Sequence, residues 1–414
     1  MVTSVAQRRG LLIVTSAFAA MLFAANLATP LYAVYAKQFG FSTAVLALVF
    51  AAYALVLIPT LLAFGQLSDR LGRRSVIALG LGLAVLALVF FAVANGTAWL
   101  FAARGTLGVA QGMLSGAATA ALAELVGDQP RRAALLATLA QVGGSAAGVL
   151  LCGVLAQWAP WPMVLPFAAG MALCLLVGIG LWSVPETVGH RGGGLRIRMP
   201  RVPREIRGPF LRVGLTGAAV WAVAAGLFLS VMPSYAGQLV VHSQNLALLA
   251  LLTSVVLLAS LAAQLLLRKG APPATTQAGG LVLLAAGLAA LVAASPAQSW
   301  LLLVIGAALA GIGHGAAYLA AQDDLTRIAP SEHRAEVSAA FYVCIYLGVS
   351  LPVIGIGVLA DLTTLFTAIT TFAVVTGGCA LAVAAWHFRH RDGDTAETPA
   401  GQPTLRDLVR GGTR

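Results

Sequence analysis

Apolar residues run through this sequence in long unbroken blocks, and short polar or charged stretches separate them. Most blocks reach the roughly 20 residues that a helix needs to cross the hydrocarbon core of a bilayer. Polar and apolar residues do not alternate within them, as they do in the strands of a membrane barrel. Because backbone groups inside a bilayer must pair within the protein, the pattern predicts an all-α integral membrane protein. The predicted transmembrane helices are twelve spans, at 11–36, 43–64, 75–95, 99–121, 135–156, 162–182, 211–234, 245–267, 276–294, 299–320, 337–359 and 363–387.

The first span follows two arginines and so has the start of a secretory signal peptide. It continues to about Tyr35, which is too long for such a peptide, and no small-residue cleavage site follows, so we expect a retained helix. A basic, Gly/Pro-rich stretch separates six spans from six. The predicted organisation is an N-terminal six-helix bundle at 1–182, a cytoplasmic linker at 183–209, a C-terminal six-helix bundle at 210–388 and a disordered cytoplasmic tail at 389–414.

Composition and charge agree with a membrane protein and fix its orientation. The chain is 59% hydrophobic and 9% charged, against about 25% charged in soluble domains. With the N-terminus inside, all but two of the 25 Lys and Arg residues fall in cytoplasmic segments, the exceptions being Lys37 and Arg104. This bias predicts a multi-pass protein of the inner (cell) membrane with both termini in the cytoplasm. The net charge of +11 then reflects topology and contact with anionic membrane lipids, and no nucleic-acid partner is expected.

The two halves of the chain repeat one another at a shift of 203 residues, without gaps. Proline, glycine and tyrosine recur at equivalent points of spans 1 and 7 and of spans 4 and 10, which hydrophobicity alone does not explain. The predicted fold is therefore two pseudo-symmetric bundles related by an axis along the membrane normal. The matching pairs are Pro30 and Pro233, Tyr32 and Tyr235, Gly108 and Gly311, Gln111 and His314, Gly112 and Gly315, and Arg131 and Arg334.

The loop between spans 2 and 3 carries a motif. It reads Gly65-Gln-Leu-Ser-Asp69-Arg70-Leu-Gly72-Arg73-Arg74. A glycine, an acid four residues later and then Arg-x-Gly-Arg-Arg resembles the signature loop of the major facilitator superfamily (MFS), and the motif lies at the same place in the topology. The resemblance implies the MFS fold and a transporter, closest to the branch that exports drugs and metabolites.

In that family, as the resemblance implies, the acid meets the start of span 11 and neighbouring arginines and latches the two halves on the cytoplasmic side. Glu124, at the inner end of span 4, is a candidate partner for Arg70 or Arg73. The alternative is that these arginines only follow the positive-inside rule. The equivalent loop of the second half keeps its basic charge but lacks the acid, so we expect an asymmetric latch. The predicted latch residues are Gly65, Asp69, Arg70, Gly72, Arg73 and Glu124.

Two ionisable groups lie deep in the spans. Arg104 precedes Gly108 in span 4 and resembles a family motif found in many proton-coupled exporters. An arginine in the membrane costs at least about 2.5 kcal/mol, which indicates a function, unless the side chain extends to the nearby outer surface. His314 in span 10 is either a proton-coupling group or a neutral hydrogen-bond partner between helices. Both are candidate coupling residues.

Span 5 contains small residues that resemble another exporter motif. Val149 stands where that motif has proline, and Cys152 where a second glycine is usual. We expect the small residues of this span, among them Gly144, Gly148 and Gly153, to pack closely against span 8.

Polar edges on apolar walls suit a ligand cavity, although each one alone also serves to pack helices. The candidate cavity residues are Asn26, Tyr32, Tyr35, Gln111, Gln141, Tyr235, Tyr318, Tyr342 and Tyr346. Because no Asp or Glu lies in spans 1 and 7, neutral or anionic cargo is expected rather than cationic cargo.

The sequence contains no phosphate-binding Gly-Lys loop, no metal-ligand cluster and no catalytic constellation, so neither an ATP-driven pump nor an enzyme is expected. No cofactor or metal is expected either. The leading hypothesis is secondary transport of a small molecule by alternating access, with proton-coupled export of a drug-like or metabolic compound by a monomer. The alternatives are uptake of a sugar or organic acid, and a non-transporting sensor or assembly protein on the same scaffold.

Overall fold

The computed structural model describes residues 5–64, 67–127, 129–184, 186, 200–267, 273–330 and 332–389, and no strand occurs among them. These described residues form twelve long helical elements, which confirms the predicted class. They are α1 (Val5–Leu27), α2 (Thr43–Phe64), α3 (Arg73–Ala92), α4 (Thr97–Val126), α5 (Pro130–Thr138 continuing as Gly144–Trp158), α6 (Leu165–Leu181), α7 (Arg207–Trp221), α8 (Leu246–Leu267), α9 (Pro273–Ala294), α10 (Trp300–Ile328), α11 (Arg334–Leu362) and α12 (Leu365–Arg389).

By length and composition, eleven helical spans of the described chain are able to cross a membrane. The remaining predicted span corresponds to α6, an apolar helix of 17 residues. At 1.5 Å per residue it is about 26 Å long, just short of a typical hydrocarbon core. Helix α4 continues about one and a half turns beyond the predicted end at 121, and α10 about two turns beyond 320, because a helix does not need to stop at the edge of the apolar layer.

The first and seventh spans are interrupted at equivalent places. After α1 the chain makes a 3-10 turn, Thr29–Leu31, and then a short helix, Tyr32–Phe39. After α7 it continues as a π-helix, Ala222–Phe228, a short helix, Met232–Tyr235, and a second π-helix. Pro30 and Pro233 lie in these interruptions. Proline has no N–H to complete a helical hydrogen bond, so the repeated prolines explain the repeated breaks.

Repeated glycines bring α4 against α2 and α10 against α8. A Cβ atom at Gly108 would lie 2.6 Å from the carbonyl oxygen of Tyr53 on α2, and one at Gly311 would overlap the carbonyl of Val256 on α8. The glycines at 112 and 315 make the same kind of approach one turn later. Small residues of this kind allow close helix packing inside a membrane, where no hydrophobic effect drives helices together.

The expectation that span 5 packs against span 8 is confirmed, but of the three glycines only Gly153 makes this contact. A Cβ there would overlap that of Ala250 on α8. Gly144 and Gly148 lie instead against the backbone of α1, at Ala19 and Phe23. Gly144 and Gly148 share one face of α5, and Gly153 lies on the opposite face from Gly144, because the nine positions from 144 to 153 make two and a half turns of 3.6 residues.

The two halves meet along two helix pairs, α2 with α11 and α5 with α8. We call the end of the bundle that holds Val5 and Arg389 the near end, and the opposite end the far end. Most of the predicted linker and all of the predicted tail beyond Arg389 lie outside the described residues. The described part of the linker contains a short 3-10 turn, Arg204–Ile206, that leads into α7.

Candidate functional site

Arg104 is buried inside the N-terminal half, with 2% of its surface exposed. Its guanidinium carbon lies 5.0 Å from the ring centre of Tyr32, 4.7 Å from that of Phe50 and 5.7 Å from that of Tyr53. We call these three rings the aromatic cage. The alternative that Arg104 extends to the membrane surface is therefore wrong. A desolvated cation–π contact contributes up to about 2 kcal/mol, so three rings offset the several kcal/mol that a buried arginine costs.

The position of Arg104 follows from the break in the first span. Helix α1 ends at Leu27, and the last four carbonyls of a helix have no partner within it. Ala25 carries one of them, and Arg104 Nη1 donates a hydrogen bond of 3.0 Å to it. A cation at a helix C-terminus also interacts favourably with the helix dipole. The second half has Ala307 at the equivalent position, so this arrangement belongs to one half only.

A row of aromatic side chains continues from the cage into the other half. Tyr346 on α11 lies within electrostatic range of Tyr53 on α2 and of Tyr342 and Tyr318 in its own half. Tyr318 in turn lies 5.4 Å, ring to ring, from Trp221 on α7. Of these five rings, Tyr318 is buried, and the other four, Tyr53, Trp221, Tyr342 and Tyr346, are only partly buried. We call these five rings the aromatic belt, and it spans both halves.

His314 lies at the end of the belt in the C-terminal half and is 1% exposed. Its Nδ1 is 2.7 Å from the hydroxyl of Ser260 on α8, and Gln264 Nε2 donates to the same hydroxyl over 3.1 Å. The imidazole is nearly parallel to the Tyr318 ring and almost perpendicular to the Trp221 ring, with ring centres 5.8 and 5.1 Å away. His314 Nε2 has no hydrogen-bond partner among the described residues.

Several predicted cavity residues are instead committed to helix packing. Asn26 donates to the carbonyl of Leu22 and to the hydroxyl of Ser145. Tyr35 and Tyr235 are fully buried. Their hydroxyls donate to carbonyls of α3 and α9, at Phe91 (2.9 Å) and Leu291 (2.7 Å). In the sequence repeat, Tyr235 aligns with Tyr32. The residue of the first half that makes the matching hydrogen bond is Tyr35, about one helical turn after Tyr32.

The other predicted cavity residues remain near the belt or inside the N-terminal half. Tyr32 belongs to the cage, and its hydroxyl interacts electrostatically with Arg104 without a hydrogen bond of normal geometry. Gln111 is buried and its Oε1 has no partner in the described part of the chain. Gln141 lies in the π-helical segment Leu139–Gly143 of α5, and its carbonyl accepts a hydrogen bond from Ser145.

At the near end, the structure brings Arg73 and Glu124 together. Arg73 Nη2 lies 3.0 Å from Glu124 Oε1, and Arg73 also donates to the buried hydroxyl of Ser68 over 2.6 Å. Arg70 is partly buried in the short helix Leu67–Leu71. Of the other predicted latch residues, Gly65 and the side chain of Asp69 lie outside the described residues.

Glu186, just after α6, was missed by the sequence reasoning. Its Oε1 accepts a hydrogen bond of 2.8 Å from the backbone N–H of Arg73, at the first turn of α3. Gly72 precedes that turn with φ +94°, and a Cβ there would overlap the Glu186 carboxylate. A carboxylate at a helix N-terminus is favourable. The signal that could have found it is an acid just past the last residue of the sixth span, at the same end of the bundle as the motif.

At the far end, two helix N-termini are capped by side chains of the opposite half. Asp361, at the end of α11, accepts hydrogen bonds from the backbone N–H groups of Thr43 (2.9 Å) and Ala44 (3.0 Å) on α2. Gln157, at the end of α5, accepts one from the N–H of Leu246 on α8 (2.7 Å). Thr43 and Leu246 are 203 residues apart, so the capped ends are repeat equivalents. We call these contacts the far-end caps, and sequence reasoning missed both.

Comparison with known proteins gives a family. Residues 13–351 and 273–412 match the Major Facilitator Superfamily. The multidrug efflux pump LfrA of Mycolicibacterium smegmatis is 36% identical over 138 residues, which are 33% of this chain and 27% of LfrA. The methyl viologen resistance protein SmvA of Salmonella typhimurium is 32% identical over 151 residues, 35% of this chain and 30% of SmvA. The matched part of the chain therefore spans less than a third of either relative's length.

Solved structures with the same fold cover nearly the whole chain. A bacterial homologue of the human lysosomal transporter Spinster, in an inward-facing and unoccupied conformation, is 19% identical with a TM-score of 0.72, over 96% of this chain and 100% of that one. A POT family transporter in complex with 5-aminolevulinic acid is 11% identical with a TM-score of 0.74, over 94% and 96%. With its helical membrane architecture and a family match over most of its length, the chain belongs to the Major Facilitator Superfamily: it is a multi-pass membrane transporter and not an enzyme.

Proposed function

We propose that this chain exports a small drug-like or metabolic compound across the inner membrane in exchange for protons, by alternating access. The observation that carries this proposal is the buried Arg104, held by the aromatic cage and by the carbonyl of Ala25 at the break of the first span. A fixed charge at a helix break couples a change in charge or hydration near the aromatic cage to movement of that helix.

The aromatic belt supports an apolar cargo over a sugar. Drug-sized ligands are bound mainly by hydrophobic and aromatic side chains with a few polar groups for orientation, and the belt consists of aromatic rings beside His314. Sugar and nutrient sites need many directed polar groups, and most polar candidates of the first and seventh spans are committed to packing, Asn26, Tyr35 and Tyr235 among them. The partial similarity to LfrA and SmvA supports export.

In this proposal the near end is cytoplasmic and the far end faces outward, as the distribution of Lys and Arg predicts. The far-end caps then close the protein toward the outside. The pair Arg73–Glu124 and the rest of the predicted latch belong to the cytoplasmic side. The protein acts as a monomer in contact with anionic lipids, which its basic cytoplasmic segments attract.

The decisive experiment reconstitutes the purified protein in liposomes that contain a pH-sensitive dye. A panel of planar aromatic compounds, sugars and organic acids is presented, and proton movement is recorded for the wild type, Arg104→Ala and Arg104→Lys. Arg132→Ala serves as the control, because Arg132 is an exposed arginine at the near end. We expect aromatic compounds to drive proton movement in the wild type and in the control. Arg104→Ala should abolish it, and Arg104→Lys should retain little, since lysine does not reproduce a planar guanidinium between rings.

Two results would contradict the proposal. If counterflow of one compound persists without any proton movement, the protein is a uniporter or exchanger. If sugars or organic acids are the compounds that move protons, the belt is not the cargo site and the alternative of nutrient uptake is favoured. A reconstituted protein that moves nothing while remaining folded favours the sensor alternative.

A further inference from the structure

Two side chains of α8, Ser260 and Gln264, fix which nitrogen of His314 carries the proton. Gln264 Nε2 donates to the Ser260 hydroxyl, so the Ser260 oxygen is an acceptor in that bond. Many Ser and Thr hydroxyls of this protein donate to the carbonyl one turn earlier, Thr216 to Arg212 and Thr253 to Leu249 for example. Ser260 makes no such bond among the described residues, and its remaining contact is His314 Nδ1 at 2.7 Å.

The single proton of Ser260 therefore points to His314 Nδ1. A neutral imidazole that accepts a hydrogen bond at Nδ1 carries its own proton at Nε2. His314 thus presents an N–H donor at Nε2. That group is buried, and no acceptor meets it in the described part of the chain. A buried donor without a partner costs about 1–3 kcal/mol. A protein retains such a donor where a bound ligand supplies the acceptor.

The surroundings of this donor indicate the kind of ligand. Tyr318 lies parallel to the imidazole and Trp221 nearly perpendicular to it. His314 is buried and Trp221 is only partly buried, so Trp221 is the more accessible of these two rings. Aromatic rings bind other flat rings by stacked or edge-to-face contact. In the first half, the repeat equivalent of His314 is Gln111, whose buried Oε1 also has no partner among the described residues.

We propose that His314 is a cargo-recognition residue, which donates from Nε2 to a carbonyl oxygen or ring nitrogen of a flat aromatic compound bound at the aromatic belt. The inference rests on the proposed function, because it names the class of compound transported. It assigns His314 to binding and leaves proton coupling to other groups. The sequence left two roles open for His314, proton coupling and hydrogen bonding between helices. The proposal selects hydrogen bonding, with Ser260 as the partner of Nδ1 and the cargo as the partner of Nε2.

The test measures equilibrium binding of fluorenone and fluorene to the protein in lipid nanodiscs, with empty nanodiscs subtracted. The two probes have the same flat ring system, and only fluorenone has a carbonyl acceptor. We expect the wild type to bind fluorenone about tenfold more tightly, the value of one good hydrogen bond. His314→Phe should remove this preference and leave fluorene binding unchanged, which also shows that the variant is folded.

Two further variants separate recognition from a structural or coupling role. His314→Gln places an amide N–H near the position of Nε2, so it should keep most of the preference and also keep proton movement in liposomes, since glutamine does not titrate. Ser260→Ala frees Nδ1 and lets the proton exchange between the two nitrogens, so the preference should fall severalfold. Phe167→Leu, at a buried ring of α6 in the other half, should leave the preference unchanged.

Three results would overturn the inference. The first is an unchanged preference in His314→Phe. The second is a loss of proton movement in His314→Gln with probe binding intact, which makes His314 a coupling residue. The third is no binding of either probe while another class of compound still drives proton movement, in which case the transport proposal stands and the cargo class is wrong. If no compound of any class moves in the liposomes, the transport proposal itself fails.

Discussion

We expect replacement of Asp361 by alanine to open the far end of the molecule. The carboxylate of Asp361 caps the first turn of α2 from the opposite half, through hydrogen bonds of 2.9 and 3.0 Å to two consecutive backbone N–H groups. The first N–H groups of a helix have no partner inside it. In a conformation with the far ends apart, these groups and the carboxylate are hydrated instead. The cap therefore stabilises only the closed far end.

The size of the effect follows from known helix caps. Replacing a capping Asp by Ala costs about 0.5–2 kcal/mol, typically about 1. Because Asp361 is exposed to solvent, we take about 1 kcal/mol and add nothing for the helix dipole. This corresponds to an approximately fivefold shift in the ratio of closed to open far ends. Asparagine caps helices about as well as aspartate, so Asp361→Asn is the matched control and should shift the ratio by less than about twofold.

Double electron–electron resonance (DEER) between two spin labels measures the ratio of closed to open far ends. The labels are attached at Asn95→Cys and Ala297→Cys, exposed positions in the far-end loops of the two halves, after replacement of the four native cysteines. Asp361→Ala should move population from the short-distance to the long-distance peak, and Asp361→Asn should resemble the wild type. If Asp361→Ala and the wild type give the same distance distribution, the cap does not hold the far end closed. An equal shift in Asp361→Asn would assign the effect to charge and not to capping.

Two other predictions concern the far end, and a third concerns the turn before α3 at the near end. Gly357→Ala should also shift the labels apart, because its Cβ would lie 2.5 Å from that of Ala47 on α2, whereas Gly355→Ala has nothing within 4 Å and should leave the distances unchanged. Gln157→Ala removes one neutral hydrogen bond, so it should shift the ratio of closed to open far ends by about twofold to threefold, less than Asp361→Ala does. A larger shift than that of Asp361→Ala would mean that Gln157 is the stronger cap. Gly72→Ala should lower the thermal unfolding midpoint in detergent by several degrees. Alanine is strained at φ +94°, and its Cβ would overlap the Glu186 carboxylate. An unchanged midpoint would mean that this turn changes its conformation at no cost in stability.

The sequence alone determined the class of fold and the repeat. A bilayer allows few solutions for an uninterrupted apolar block, so the length of the blocks gave the number and approximate limits of the helices. The repeated prolines marked the repeat, but the first and seventh spans were predicted as continuous, and the breaks that the prolines cause are seen only in the structure. Arg104 stood out because a charge inside the membrane is costly. Each of these inferences depends on a property of single residues or of continuous segments.

The tertiary structure decided which groups meet. The sequence did not show that Arg104 would reach the carbonyl of Ala25, because that contact depends on the rotation of α4 against α1. Nor did it distinguish Tyr35, whose hydroxyl is used in packing, from Tyr53, which joins the belt. The far-end cap at Asp361 joins positions more than 300 residues apart. Such contacts depend on the rotation of each helix about its axis and on the docking of the two halves, and an apolar block that is buried all round carries no periodic signal for either.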